Sequence, residues 1–111
     1  MGQSEGAAPF QVPVAFQAAR SSLPNEVIVI ASWHDEQSHS ITIQDFIRDN
    51  ESFIPVFTSE ERFKSQIKGS SFEGNGVFMN SDLLLSMMRG GEHLIVDPGG
   101  DVPQSIYLPT L

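Results

Sequence analysis

Phe53–Phe63, FIPVFTSEERF, reads as a strand that turns directly into a helix. Phe53, Ile54, Pro55, Val56 and Phe57 are aromatic, β-branched or proline, and Asp49-Asn50-Glu51 bounds them upstream, which is strand composition. Pro55 has no amide to give a ladder, so the strand is expected at a sheet edge or interrupted there. Thr58 then stands where an N-cap belongs, with Glu61 three residues on. That is capping-box spacing: the Thr58 hydroxyl accepts from the Glu61 amide, and the Glu61 carboxylate accepts from the Thr58 amide. Glu60 and Glu61 put negative charge in the first turn, where the helix dipole favours it. The helix is expected to run to about Lys68, with Phe63 and Ile67 on one face and Gly69 just past the end.

Upstream, Val12, Phe16, Ala19 and Leu23 recur at helical steps, and Pro13 and Pro24 bracket a short helix over 13–22. Val27–Trp33 (VIVIASW) is apolar on both alternating faces, the pattern of a central strand. His34–His39 is a polar loop and Ile41–Ile47 the returning strand of a hairpin. Downstream, the Gly/Ser/Asn-rich stretch 69–76 is a loop that Phe72 anchors. Val77–Met79 is a short strand. Asn80 or Ser81 caps a helix with Asp82 in its first turn and Leu83, Leu84, Met87 and Met88 as its apolar face; Arg89 and Gly90 supply stop chemistry. His93–Asp97 is the last strand and 97–100 a turn. The expected fold is α+β: a mixed sheet of about five strands with about three helices, in the order α-β-β-β-α-β-α-β. Residues 1–9 form a tail, and residues 10–111 one domain.

Six basic against fourteen acidic residues give a net charge of −8, which disfavours nucleic acid and anionic membrane surfaces as partners. There is no cysteine, hence no disulfide, thiolate metal site or cysteine nucleophile. Nor is there a signal-peptide pattern or a long apolar run, so the expected location is cytoplasmic.

Three passages together resemble a known family: Phe53–Phe63, the Asp82–Met88 helix after its short strand, and Leu94–Gly99 (LIVDPG). The order strand, FTSEE-helix, DLL-helix, apolar strand, Pro-Gly is similar to that of the SseB N-terminal domain family of bacterial proteins and spans roughly residues 10–108. Family members usually have Asn where this chain has Asp97. The resemblance implies a mixed-sheet domain and brings no catalytic residue with it. The family-typical structural residues here are Thr58, Glu61, Asp97, Pro98 and Gly99.

His34, Asp35 and His39 are the candidate metal ligands, in a loop whose spacing matches no metal motif. A solvated loop is the preferred reading, and no metal or other cofactor is expected. No G-x-S-x-G or P-loop is present. The candidate interaction residues are Phe53, Pro55 and Phe57 on the supposed edge strand, with Tyr107 and Leu108 in a C-terminal segment too short to fold alone. The leading expectation is a non-catalytic protein-interaction domain acting on an unknown partner or on itself. A small-molecule or peptide-binding module, with its pocket between the sheet and the FTSEE helix, comes next, and a hydrolase or metal enzyme third.

Overall fold

A computed structural model of the chain describes residues 11–35 and 40–111; the expected 1–9 tail and His39 lie outside them. A 3-10 turn, Val14–Phe16, leads into α1 (Gln17–Ser21). The strands are β1 (Glu26–Asp35), β2 (Ser40–Ile43), β3 (Phe46–Arg48), β4 (Glu51–Phe57), β5 (Gly76–Asn80), β6 (His93–Val96) and β7 (Gln104–Tyr107). Helix α2 (Glu60–Ile67) follows β4, and α3 (Ser81–Ser86) follows β5. The class is α+β, as expected, with three helices and a mixed sheet of seven strands among the described residues. Two strands exceed the expected five. The supposed return strand 41–47 breaks at Gln44-Asp45 into β2 and β3, and the C-terminal segment joins the sheet as β7.

β1 is the spine. It pairs antiparallel with β5, β4 and β2, while β4 pairs parallel with β6, and β7 closes that side antiparallel. Alternation along β1 divides the core, as its two-sided apolar pattern requires. Val27 and Val29 join Phe16, Leu23, Val56, Leu84, Leu85, Leu94 and Leu108 on the side of α1 and α3. Ile28 and Ile30 join Phe57 and Phe63 on the side of α2. The chain crosses one face through α2, from β4 over β1 to β5, and crosses the other through α3 to β6. Arg20 ties α1 to α3: its guanidinium bonds the Asp82 carboxylate, the Leu23 carbonyl and the Asn25 amide oxygen.

The Phe53–Phe57 strand is central, not an edge, and the way it accommodates Pro55 shapes the sheet. The Val56 carbonyl accepts from the Asp97 amide at 2.7 Å, so Val56 faces β6, and by alternation Pro55 and Phe57 face β1. The β1–β4 register covers Ile28–Phe57 and Val29–Val56 and then stops. One step further would set the Ile30 carbonyl against Pro55, which has no proton to offer; that carbonyl accepts instead from the Gln44 amide at 2.8 Å. Beyond this point β1 continues beside β2, and β4 beside β3. The strands fork at Pro55, and the β2–β3 turn fills the gap. The β3–β4 hairpin closes on Asp49 and Asn50, with φ of 53° and 65°, the left-handed pair that residues of this type tolerate.

Helix α3 is rotated from its expected face. Leu84 and Leu85 are fully buried, whereas Met87 is exposed and Leu83 only half-buried. The helix ends at Ser86; Leu83 and Met88 still pack against the core as expected, while Leu85 takes the buried place expected for Met87. Leu85→Ala is therefore expected to cost about 2–5 kcal/mol in urea unfolding, as truncation of a well-packed leucine does. Met87→Ala should cost less than about 1 kcal/mol. The reverse order would favour the sequence periodicity over the observed rotation.

Candidate functional site

The C-terminal ends of parallel strands β4 and β6 lie side by side, and the loops leaving them meet. At this position the two most distinctive passages of the sequence touch. The Thr58 amide donates to Asp97 Oδ1 at 2.9 Å, and the Thr58 hydroxyl donates to Asp97 Oδ2 at 2.7 Å. Arg62 Nε stands 3.7 Å from the same oxygen, a half-exposed ion pair that adds little by itself. Gln66 Nε2 donates to the Gly99 carbonyl at 3.2 Å, and the Gly100 amide returns to the Asp97 carbonyl at 3.0 Å. Asp97 has φ of 51° and Gly99 83°. A Cβ at Gly99 would stand 1.9 Å from Gln66 Oε1, so only glycine fits there without moving α2's side chain.

The expected capping box is thus displaced by one residue. Ser59 is the N-cap, and its hydroxyl accepts from the Arg62 amide at 3.2 Å. Thr58 stands one residue outside the cap with both its donors on Asp97, so its amide is not available for a return bond from Glu61. Glu60 and Glu61 do occupy the first turn. A crevice of about 380 Å³ opens over this region, lined by Arg62, Gln66, Asp97, Gly99 and Asp101 among others. Its principal polar groups hold one another.

A second concavity, about 440 Å³, separates α2 from β5. Ile28, Phe63, Gly76 and Phe78 form its apolar part, and Glu60, Lys64, Lys68 and Glu73 its charged part. The Phe63 ring lies directly on Gly76, where a Cβ would come within 2.7 Å of it.

The expected interaction residues are not brought together. Pro55, Phe57 and Leu108 are buried in the chain's own core and Phe53 is half-buried, so only Tyr107, 62% exposed, reaches outward. Tyr107 stacks on the buried His93 ring, with centroids 4.0 Å apart and planes 11° apart. His93 Nδ1 lies 3.5 Å from a Glu51 oxygen, and neither ring nitrogen has a hydrogen-bond partner among the described residues. His34 and Asp35 close β1; with His39 outside the described residues, the metal reading gains no geometry. Pro98 follows Asp97 in the turn, as expected. Sequence reading missed Ser59 as the cap, the Arg62 and Gln66 contacts, and exposed Phe78. An S-x-x-R cap carries no reciprocal signature, and side-chain links across 33–39 residues leave no local periodicity.

A family model described as SseB protein N-terminal domain matches residues 7–109. The chain belongs to the SseB N-terminal domain family. Neither a curated protein nor a solved structure matches it significantly. Within this SseB domain, FTSEE and DPG are the two halves of one clasp, closed by Thr58 and Asp97. Asn at position 97 would keep it, since its oxygen accepts from the amide and its NH₂ donates to the hydroxyl oxygen.

Urea unfolding of four variants checks this geometry. Asp97→Ala should lose about 2–3 kcal/mol, from two bonds and a left-handed backbone that alanine dislikes. Asp97→Asn should stay within about 1 kcal/mol of the parent. Ser59→Ala should cost about 1 kcal/mol, and Glu61→Ala less than about half that. A loss at Glu61 with none at Ser59 would restore the Thr58–Glu61 capping box and contradict the observed Ser59 cap.

Proposed function

We propose that this SseB domain is a small protein-interaction module with no reaction of its own, working in the cytoplasm through a partner protein or a second copy. The supporting observation is where its large apolar side chains are exposed. Ile47 on β3, Phe78 on β5 and Tyr107 on β7 are 76%, 58% and 62% exposed, each on a hydrogen-bonded strand that fixes its direction. An apolar group held rigidly at a sheet margin loses little entropy on contact, which is what a binding surface needs. The polar groups of the Thr58–Asp97 clasp are engaged with one another, which favours a structural role for them. A small-molecule or peptide-binding role is the second reading, and the groove between α2 and β5 favours it.

Photo-crosslinking tests the interaction reading. A photoreactive phenylalanine at 47, 78 or 107, expressed in the native cell, should give a discrete protein adduct from at least one position. The same group at exposed Val102, on the loop after Gly100, should give none. Absence of adducts from all three strands, with saturable binding of a metabolite that Phe63→Ala abolishes, would transfer the assignment to the second reading.

A further inference from the structure

We infer that β5 is a self-pairing edge: two copies of this chain join antiparallel through it, extending one sheet across a two-fold axis. This rests on the interaction reading above and names its partner. The Ala31 amide donates to the Asn75 carbonyl at 3.0 Å, so Asn75, Val77 and Met79 turn their backbone groups toward β1. By alternation Gly76, Phe78 and Asn80 turn theirs outward, and β5 has no second neighbour among the described strands.

Sheet edges are normally protected by proline, by charge or by a covering element. The far edge, β7, is bracketed by Pro103 and Pro109. β5 (GVFMN) has neither proline nor charge, and Gly76, Phe78 and Asn80 are all exposed. Instead of a gatekeeper the strand displays the Phe78 ring, at the mouth of the apolar groove formed with Ile28 and Phe63. Ring and groove therefore belong to one surface, which makes that surface complementary to itself, as a two-fold interface requires.

Charge selects the same occupant. A chain of net charge −8 repels its own copies over most of its surface. An uncharged strand whose groove balances Lys64 and Lys68 against Glu60 and Glu73 is a place where two copies meet without the net negative charge of the rest of the chain. Centring the axis on Phe78 sets it opposite the partner's Phe78 as a hydrogen-bonded pair, with Gly76 opposite the partner's Asn80. Both rings then lie on the α2 side, within cross-strand contact.

Sedimentation velocity and light scattering over about 1–200 µM test this, since a pairing of this size is concentration-dependent. The parent should shift from monomer to dimer within that range. Phe78→Pro removes only an outward amide and so no bond to β1; it should be monomeric throughout, with unchanged circular dichroism. Phe78→Lys, which leaves the backbone intact, is the check should the proline variant misfold, and should also be monomeric. Phe78→Ala, which keeps the amide, should weaken dimerisation about tenfold or more. A parent monomeric across the range, or dimers undiminished in both Phe78→Pro and Phe78→Lys, would overturn the inference. Protein adducts from positions 47 or 107 alongside such a result would leave the interaction reading standing and remove only the β5 pairing.

Discussion

One carboxylate organises the C-terminal end of the parallel strand pair. Asp97 accepts the amide and the hydroxyl of Thr58, joining the end of β6 to the residue that leaves β4. Two consequences follow for α2. Its cap is Ser59, the residue after the one that Asp97 holds, and its start is thereby tied to the end of β6. The loop after β6 must then fold tightly beneath α2, with left-handed backbone at Asp97 and Gly99 and Gln66 reaching down to the Gly99 carbonyl. The whole arrangement is a small polar knot above a dry sheet, where two bonds to one carboxylate offset the conformational strain at Asp97.

The second constraint is the missing amide of Pro55. It sits in the most central passage of the sheet, so the structure has to end the β1–β4 ladder there. Forking β1 from β4 and inserting the β2–β3 turn gives the Ile30 carbonyl a donor from Gln44. This widens the sheet at one end, and the ring of Phe46 covers the gap, meeting Phe53 at 6.1 Å and Phe72 at 5.1 Å. Proline thus acts as a branching device inside a sheet rather than as a mark of its edge. An edge lies elsewhere, on β5, and Phe78, an apolar ring that the core does not take up, stands on it.

Much of this was legible in the sequence where the signal is local. The two-sided apolar run at 27–33 marks the spine, the steps Val12–Phe16–Ala19–Leu23 mark a helix face that packs on the core, and of the two cap candidates Asn80 and Ser81 it is Asn80 that caps its helix. The family resemblance carried by FTSEE and DPG pointed to the two passages that prove to be in contact. Distant pairings were not legible. Pro55 reads as an edge because the general rule takes no account of a fork. Thr58 reads as a cap because its real partner lies 39 residues away. Leu85 was missed because a helix this short samples its periodicity over barely two turns. That Pro55, Phe57 and Leu108 lie in the chain's own core was not legible for a related reason: apolar composition says that they must be covered, but not whether by this chain or another. Phe78 is exposed on a strand with no second neighbour among the described residues, and only the sheet's lateral order shows it.

The account depends most on the Thr58–Asp97 clasp, and the Thr58 amide proton reports on it directly. Measured by hydrogen exchange with NMR detection, that amide should be strongly protected in the parent chain although its residue is exposed. In Asp97→Ala its protection should be lost while amides of β1 remain slow, because the bond opens without unfolding the sheet. A Thr58 amide that exchanges at the free-peptide rate in the parent, or one equally protected with and without the Asp97 carboxylate, would contradict the central claim.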